Sequence, residues 1–375
     1  MLITNVRNIP FSDIIIKTAE AEGAELFFVG GCVRDMLLGR DIADLDMVAF
    51  GADYEKTAFK IARKIKAAAV KFKDNVRIVK DGCEFDISAP RGENIHEDLA
   101  KRDFTINNLA VGTDGQIIGD EADLRSGLIR VVHAGAFDDD PLRVVRAYRF
   151  AAQLGFEIET GTRELVKQKA EKLSEVAGER IFAELNKLCD GKYALPALKM
   201  LIADGVSEYA FGTKSKLPEV FLNNTDGAEL LLKISTFLYG FEKDALKLMD
   251  GRCYPARTAK RVKEMSAGYT LLEAKADYKL FLYNHKGDAY LIADMFAAVN
   301  GGREELFGKL DDTMKLMNFD NMRLIGGAEL SALGVEAGKL MGEIIKDVSF
   351  KLACSELKDK DDALLYIKDK YGVGA

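Results

Sequence analysis

The sequence predicts a mixed α/β domain followed by an all-helical remainder, and three observations support this fold class. In the first third of the chain, short apolar runs bounded by glycines alternate with segments of helical periodicity. From about Asp138 onward long helical segments follow one another and the strand signals fade. Proline is nearly absent from that second part, which suits long uninterrupted helices. The change of pattern near residues 134–138 therefore predicts a domain boundary.

The first elements can be assigned in order. "ELFFVGG" predicts a buried strand that ends in a glycine turn, "RDMLLG" predicts a short helix closed by Gly39, and "ADLDMVAF" predicts a second strand. "DYEKTAFKIARKIKAAA" has the spacing of a helix, with Asp53 as its N-cap. Hairpins are then predicted in "VRIVKDGCEFDIS", where Asp81-Gly82 forms the turn, and in "NNLAVGTDGQIIG".

The remainder is predicted to be helical. The clearest segments are "DPLRVVRAYRFAAQLG", "TRELVKQKAEKLSEV", "GERIFAELNKLCD" and "YALPALKMLIADG". A second seam is expected near 223–226. The predicted domains are therefore 1–137, 138–225 and 226–375.

Length and composition limit the class of protein. A chain of 375 residues with 48% hydrophobic residues is long enough for two or three domains with buried cores. No apolar run approaches the roughly 20 residues that cross a bilayer, and the first residues lack the layout of a secretory signal. We therefore expect a soluble cytoplasmic protein with no membrane partner.

Cysteine and histidine usage argues against two kinds of site. The five cysteines are scattered and form no CxxC pair, which disfavours a disulfide framework or a zinc ribbon. None of the three histidines stands at a metal-ligand spacing. Reduced, structural cysteines are expected.

Charge is unevenly distributed. A net charge of −7 argues against indiscriminate coating of nucleic acid. The stretch 56–80 is nevertheless locally basic, so it is either a solvated helix face or a phosphate-contacting surface; it carries Lys60, Arg63, Lys64, Lys66, Lys71, Lys73 and Arg77 against Asp74.

Two aspartates in the second predicted strand form the first candidate site. Side chains two residues apart in a strand share a face, so Asp44 and Asp46 point the same way while Leu45 points into the core. Paired carboxylates repel each other unless a cation joins them, and an oxygen-rich pair suits Mg²⁺. The competing interpretation is ordinary polar alternation on an exposed strand.

The preceding glycine turn favours the metal interpretation. A strand, then Gly30-Gly31, then a helix containing Arg34 would place backbone N–H groups and a guanidinium where a triphosphate could bind. Asp35 and Arg40 are better explained as an ion pair at the helix end. Asp86 lies on a polar strand face and could complete a two-metal site or orient an attacking hydroxyl.

Four ordered motifs carry a family resemblance. "GGCVRDMLLGRDIADLD" resembles the nucleotidyltransferase signature of the tRNA nucleotidyltransferase/poly(A) polymerase family, in its bacterial and eukaryotic class. "KRDFTINNLAV" is similar to the family's second motif, "DPLRVVRAYRFAAQLGF" to its template-helix motif and "ERIFAELNKL" to a later helix motif. The resemblance covers roughly residues 25 to 190. It implies a polymerase-β-like head with a mixed sheet, followed by an all-α neck, body and tail.

The resemblance also implies residue roles. Gly30, Gly31 and Arg34 would bind the triphosphate, and Asp44 and Asp46 would hold the catalytic metals, with Asp86 as a third catalytic candidate. The ribose would be recognised by the second motif, through Arg102, Asp103 and Asn107. Asp103 has an alternative role as a helix cap and Asn107 as a turn residue.

The template helix is predicted to choose the base. Asp140 and Arg143 stand at i and i+3, so their heads can meet on one helical face and bind cytosine or adenine but not uracil or guanine. Asp140 before Pro141 is also a good N-cap. Asp139 is a further base-recognition candidate, although it departs from the glutamate common in the family. Further along this helix, two arginines could reach RNA phosphates or bind neighbouring acids; they are Arg146 and Arg149.

The segment before the second motif is the clue to specificity. Between Arg91 and Lys101 the chain has only "GENIHEDLA". In the family, a longer flexible loop here accompanies addition of all three nucleotides, and a short one accompanies addition of the two cytidines alone. The short loop favours a CC-adding enzyme with a separate A-adding partner.

The predicted activity is Mg²⁺-dependent transfer of CMP, with AMP as the open alternative, from nucleoside triphosphates to the 3′ end of tRNA. The expected partners are the tRNA acceptor end and CTP, with ATP as the second nucleotide if adenosine is also added. The alternatives are a full CCA-adding enzyme, a poly(A) polymerase and a catalytically silent RNA-binding relative.

Overall fold

The protein forms two compact units, residues 1–214 and 215–375. The structure is a computed structural model and describes residues 9–40, 42, 44–212, 227–239, 249–250 and 254–374. The predicted boundary at 137/138 lies within the first unit and stays a prediction. The boundary predicted at 225/226 lies outside the described residues.

The first unit is built on a seven-stranded mixed sheet. Its strands, in chain order, are β1 Glu25–Val29, β2 Asp44–Phe50, β3 Ala68–Lys71, β4 Asn75–Lys80, β5 Cys83–Ser88, β6 Ala110–Gly112 and β7 Ile117–Ile118. Their order across the sheet is β3-β4-β5-β2-β1-β6-β7. Neighbouring strands are antiparallel except β2 and β5, which run parallel.

Helices cover the sheet and then continue as the all-helical part of this unit. They are α1 Ser12–Ala21, α2 Gly31–Leu37, α3 Tyr54–Ile65, α4 Ile95–Ala100, α5 Ala122–Ser126, α6 Ala136–Asp139, α7 Arg143–Leu154, α8 Thr160–Lys169, α9 Gly178–Cys189, α10 Ala194–Ala203 and α11 Ser207–Phe211. A two-residue parallel pair, β8 Leu128–Ile129 with β9 Glu157–Ile158, joins the two parts. The predicted fold class is confirmed.

Local sequence signals explain most of these bounds. The Asp53 side chain accepts hydrogen bonds from the backbone N–H groups of Glu55 and Lys56, at 2.9 and 3.1 Å, and so caps α3 as predicted. Asp81 and Gly82 both have positive φ, at 49° and 81°, which fits the tight turn between β4 and β5.

Three strands were not predicted, namely β3 and the two-residue strands β8 and β9. The alanines after Ile65 were expected to continue α3, but Lys66 adopts a left-handed conformation (φ 55°) that ends the helix. Residues Ala68–Lys71 then form β3 at the edge of the sheet. Alanine favours helix locally, so the pairing of this strand with β4 overrides that preference.

The second unit is helical in the part that the structure describes. Its helices are α12 Gly227–Tyr239, α13 Ala256–Glu273, α14 Tyr278–His285, α15 Ala289–Asn300, α16 Arg303–Lys315, α17 Gly327–Ala332, α18 Lys339–Ala353 and α19 Lys360–Tyr371. A buried apolar cluster, which includes Leu330, Ile344, Val348, Leu352 and Ile367, fixes the last three helices. Met265 and Met295 are buried core residues.

Two further expectations can be compared with the structure. Cys32, Cys83, Cys189 and Cys354 are free thiols, and Cys253 lies outside the described residues. Among the helices that the structure describes, none combines the length and apolar composition that a membrane span requires.

Candidate active site

A cavity of about 710 Å³ opens in the first unit where the β1–α2 turn, the start of β2, the segment after α4, and helices α7 and α9 converge. This volume suits a nucleotide-sized ligand. Eight basic side chains line it, namely Arg34, Arg91, Arg102, Arg143, Arg146, Arg149, Arg180 and Lys187. Five acidic ones share it: Asp35, Asp44, Asp46, Asp103 and Asp140. The cavity is therefore cationic within an acidic protein.

The glycine turn forms one edge of this cavity. Gly30 has φ +72° and ψ −128°, a conformation that a side chain disfavours. A Cβ atom at Gly30 would also lie 2.8 Å from Nη1 of Arg102. The backbone conformation therefore favours glycine, and the Arg102 guanidinium lies against it. Helix α2 starts at Gly31, so its first N–H groups lie beside the cavity.

Arg34 is buried and held from two sides. Its Nη1 donates to Oδ1 of Asn107 at 2.8 Å, and its Nε and Nη2 donate to the Asp35 carboxylate at 3.0 and 2.7 Å. The expected ion pair between Asp35 and Arg40 is therefore replaced by one between Asp35 and Arg34. This bidentate contact fixes the direction in which Arg34 faces the cavity.

Asp44 and Asp46 lie on the exposed face at the start of β2, with Leu45 buried between them, as the alternation predicted. Within the described residues neither carboxylate forms an ion pair or a side-chain hydrogen bond. Burial by the surrounding protein, and next the negative charge of Asp86, raise the pKa of Asp46. A cation bound by Asp44 and Asp46 would relieve the repulsion that Asp46 experiences from the neighbouring carboxylates.

The donor set fits a hard divalent cation. Two carboxylates with no ion-pair partner in the described part of the chain provide oxygen ligands of the kind that Mg²⁺ prefers, and Mg²⁺ commonly completes its shell with water and substrate phosphates. No group of three His, Cys, Asp or Glu side chains in the described part of the chain is placed to bind a metal.

Asp86 lies beside Asp46 but is paired with an arginine. In the parallel pairing of β2 and β5, Asp86 stands directly opposite Asp46. Its two carboxylate oxygens accept hydrogen bonds from Nε and Nη2 of Arg77, at 2.9 and 2.7 Å. Its predicted catalytic role stays a prediction, and its charge is already compensated.

The predicted ribose-binding residues form one hydrogen-bonded network. Asp103 is buried; its Oδ1 accepts from the backbone N–H of Phe104 and from Nδ2 of Asn107, and its Oδ2 accepts from Arg146. Burial opposes ionisation, but the charge of Arg146 and these hydrogen bonds lower the pKa of Asp103 to about 2. Asp103 does not cap a helix as the alternative predicted, because Phe104 occupies the cap position of the short turn Thr105–Asn107.

Arg102, the third residue of that motif, lies beside the glycine turn. Its Nε and Nη2 both donate to Oδ2 of Asp98, which is fully buried, at 3.2 and 2.7 Å. Oδ1 of Asp98 accepts the backbone N–H of Arg91 at 2.9 Å. One buried carboxylate therefore ties both ends of the short segment before the second motif to each other.

Asp140 and Arg143 both line the cavity, but their heads do not meet as expected. Helix α7 begins at Arg143, so Asp140 precedes the helix rather than standing one turn earlier within it. Its Oδ2 accepts from Nη2 of Arg180 at 2.9 Å, and its Oδ1 accepts the backbone N–H of Leu142 at 3.2 Å. Asp140 therefore accepts a backbone N–H just before the helix, as the cap interpretation predicted, and it also pairs with Arg180.

The Arg143 guanidinium donates instead to two backbone carbonyls. Nη2 donates to the carbonyl oxygen of Lys101 at 2.8 Å, and Nη1 to that of Ala136 at 3.2 Å. Burial lowers the pKa of Arg143. Asp139 lies outside the cavity lining, where its carboxylate is 3.3 Å from Nε2 of His133.

Arg146 and Arg149 bind neighbouring acids. Arg146 pairs with Asp103 and lies 3.4 Å from Glu184 Oε1. Nε of Arg149 lies 2.8 Å from Glu184 Oε2, although the two atoms are not aligned as a hydrogen bond. Burial, and then the charge of Arg146, lower the pKa of Arg149 to about 10. These arginines were predicted either to reach RNA phosphates or to bind neighbouring acids, and the structure shows the contacts with acids.

Several lining residues were not singled out from the sequence. Arg180 and Lys187 stand seven residues apart on α9, with Glu184 between them, so all three share a helix face. They belong to "ERIFAELNKL", and this spacing was the signal that could have identified them. Asp98 and Arg91 gave no such signal, because their contact depends on the folded loop.

Two segments match known domains. Residues 26–130 match the poly(A) polymerase head domain, and residues 155–220 match the probable RNA- and SrmB-binding site of polymerase A.

Relatives of two kinds are similar to the chain. A CC-adding tRNA nucleotidyltransferase of Geobacter sulfurreducens is 39% identical over 233 residues, which are 60% of this chain and 54% of that relative. A second CC-adding tRNA nucleotidyltransferase, from Halalkalibacterium halodurans, is 34% identical over 62% of this chain and 64% of its own length. A CCA-adding enzyme of Streptococcus gordonii is 26% identical over 95% of this chain and 96% of its own length.

Solved structures share the fold over nearly the whole chain. The Thermotoga maritima CCA-adding enzyme complexed with tRNA superposes with a TM-score of 0.73 at 24% identity, covering 99% of both chains. The Bacillus stearothermophilus CCA-adding enzyme in complex with CTP gives 0.76 at 22% identity, covering 97% of this chain and 98% of the other. With the two domain matches in the expected order, the chain is similar to members of the tRNA nucleotidyltransferase/poly(A) polymerase family.

Proposed function

We propose that the protein transfers CMP from CTP to the 3′-hydroxyl of tRNA and builds the two cytidines of the CCA end, without a nucleic-acid template. The carrying observation is the cationic cavity that Asp44 and Asp46 border with carboxylates free of ion pairs among the described residues. A triphosphate needs a cationic cavity, and the metal that accompanies it needs free carboxylates.

The position of each residue in the cavity is the basis for its proposed role. Gly30, Gly31 and Arg34 line the cavity and are proposed to bind the triphosphate, with Arg102 close to the same turn. The N–H of Gly31 and the Arg34 guanidinium would contact the phosphates, whereas the N–H of Gly30 donates to the carbonyl oxygen of Leu109 at 2.9 Å and fixes the turn. Arg102, Asp103 and Asn107 are proposed to recognise the ribose, with Asp103 acting through the network that holds Asn107.

Asp44 and Asp46 would hold Mg²⁺. When bound, the metal would lower the pKa of the attacking 3′-hydroxyl and neutralise charge on the pyrophosphate leaving group. Asp86, the cross-strand neighbour of Asp46 on the same strand face, is proposed to take part in catalysis only when it leaves its ion pair with Arg77.

Base choice is assigned to Asp140 and Arg143 as separate contacts. Asp140 would accept from the exocyclic amine of cytosine while Arg180 holds its other oxygen. Arg143 uses two of its five N–H groups on backbone carbonyls, which leaves others for the base. Uracil presents a carbonyl in place of the amine, so two acceptor oxygens would face each other and the hydrogen bond to Asp140 would be lost.

Two observations support CC addition over CCA addition. The segment before the second motif is short and is anchored at both ends by buried Asp98, so it has little freedom to rearrange the pocket for a larger base. Two relatives above 30% identity are named CC-adding enzymes. The full-length similarity to CCA-adding enzymes makes CCA addition the second candidate.

The test uses a tRNA transcript that lacks its CCA end, with Mg²⁺ and with CTP and ATP supplied separately and together. We expect two cytidines to be added, and a transcript ending in CC to refuse ATP. Asp44→Ala should abolish incorporation because one metal ligand is lost, whereas Asp13→Ala, a change of an exposed aspartate on α1, should not.

Other outcomes separate the alternatives. Completion of CCA by this protein alone would show that the short segment does not set specificity. Long tails from ATP on RNAs other than tRNA would indicate a poly(A) polymerase. Absence of incorporation with intact protein would support the silent RNA-binding relative.

A further inference from the structure

One arginine lies on the same sheet face as the two metal-binding candidates. Arg77 on β4 stands directly opposite Asp86 on β5, and Asp86 stands directly opposite Asp46 on β2. Residues paired across a ladder point to the same face, and neighbouring strands are about 4.8 Å apart. Arg77, Asp86 and Asp46 therefore form a row of three adjacent side chains.

Four carboxylates share this face, but only two of them have a cationic partner in the described part of the chain. Asp44 stands opposite Glu84, just as Asp46 stands opposite Asp86. Arg77 contacts both acids of β5: Nη1 lies 2.7 Å from Glu84, and Nε and Nη2 bind the Asp86 carboxylate at both oxygens. The acids of β2 are left for a metal.

We propose that Arg77 is a positioning residue that holds Asp86 away from the metal site, and thereby limits the protein's affinity for divalent cations. The bidentate contact occupies both Asp86 oxygens in one fixed geometry, which a metal ligand would have to abandon. The role of Arg77 rests on the proposed metal-binding function of Asp44 and Asp46.

The exposure of Arg77 allows its ion pair with Asp86 to break and re-form. The Arg77 side chain is 41% exposed, against 16% for Asp86, so the arginine can leave without opening the core. On its outer side its guanidinium lies 5.9 Å from the ring centroid of Phe72, which is itself exposed. Loss of this exposed ion pair should leave the fold intact, because such pairs contribute little stability.

The experiment measures Mn²⁺ binding to the full-length protein without nucleotide, by electron paramagnetic resonance of free Mn²⁺. Arg77→Gln should bind Mn²⁺ roughly tenfold more tightly, because the released Asp86 adds a third carboxylate beside Asp44 and Asp46; outer-shell partners of metal ligands act on affinity on a scale of about 10- to 100-fold. Arg77→Lys keeps the positive charge but cannot form the bidentate contact with Asp86. Its Mn²⁺ affinity should therefore lie between those of the wild type and Arg77→Gln. Arg125→Gln, which removes an exposed arginine elsewhere, should match the wild type.

A double-mutant cycle separates the restraint on Asp86 from the general effect of losing a positive charge. In an Asp86→Asn background the gain from Arg77→Gln should disappear, because no carboxylate remains to be released. In a Glu84→Gln background the gain should persist. An equal gain in all backgrounds, or no gain with folded Arg77→Gln and Arg77→Lys proteins, would overturn the role of Arg77.

The same measurement distinguishes failure of the proposed function from failure of the inference about Arg77. If the wild-type protein and the Asp44→Ala variant bind Mn²⁺ equally, then β2 does not hold the metal and the proposed function loses its basis. If Asp44→Ala loses the binding but Arg77→Gln changes nothing, only the inference about Arg77 fails.

Discussion

At the scale of single residues, the cavity is a set of charges that fix one another before any ligand arrives. Arg34 is held by Asp35 and Asn107, and Asn107 is in turn held by Asp103. Such preorganised groups need little rearrangement when they meet a charged ligand. The network thus links the proposed triphosphate-binding arginine with the proposed ribose motif through direct hydrogen bonds.

The buried carboxylate of Asp103 should make stability depend on pH. Its pKa of about 2 lies below the ordinary value near 3.9, so the pairing contributes roughly 2 kcal/mol to the free energy of unfolding at neutral pH. Because the folded-state pKa is depressed, this contribution is present above about pH 4 and is lost as the pH falls toward 2.

Asp103→Asn tests this dependence by removing the charge while keeping the shape. Urea unfolding at pH 7 should show the variant to be destabilised by at least that amount, because the partly buried Arg146 then faces only Glu184. The difference from the wild type should shrink near pH 3. A difference that stays constant between pH 7 and pH 3 would contradict the assigned cause.

Residue prediction from sequence worked where the signal was local. The alternation around Leu45 placed Asp44 and Asp46 on one face because strand geometry alone decides it. The i, i+3 spacing of Asp140 and Arg143 misled because the helix starts later than assumed. The partner of Asp140 is Arg180, forty positions away in the sequence, and only the packing of α9 against α7 reveals it.

At the scale of elements, the short segment between β5 and the second motif is more organised than a flexible loop. Asn94 caps α4 by accepting the backbone N–H of Glu97, and buried Asp98 joins Arg91 to Arg102. The sequence showed that this segment was short, but not that a carboxylate fastens it. β3 was missed for a related reason, because its alanines pair as a strand only beside β4.

Asp98→Asn should loosen this element. The change leaves the largely buried Arg102 guanidinium without its carboxylate, and removal of one partner from a buried pair costs about 3–5 kcal/mol. Hydrogen exchange should become faster across residues 91–102, and CTP binding should weaken because Arg102 borders the glycine turn. Glu93→Gln, at an exposed acid of the same segment, is the control and should change neither measurement. Exchange that stays at the wild-type rate across these residues in the Asp98→Asn protein would refute the anchoring role.

At the scale of the whole molecule, the candidate chemistry lies in one unit. All residues that line the cavity fall between Val29 and Lys187, inside the unit of residues 1–214. The second unit has its own buried core on the last helices. The two units should therefore respond separately to core mutations.

Leu352→Ala tests this separation. Leu352 is fully buried in the second unit, so its truncation should lower the stability of that unit by about 2–5 kcal/mol. Calorimetry should show a lower melting transition, while isothermal titration of CTP should give the wild-type affinity. Leu365→Ala, at a side chain that is 68% exposed, should affect neither. A parallel loss of CTP affinity would show that the units are coupled.

The placement of every cavity residue within one unit also bears on how such a protein can change over evolutionary time. Mutations that accumulate after residue 214 change no residue that lines the cavity. Selection on the cavity and selection on the second unit then act on different stretches of the gene. Recombination between these stretches could exchange the second unit while the cavity is inherited intact.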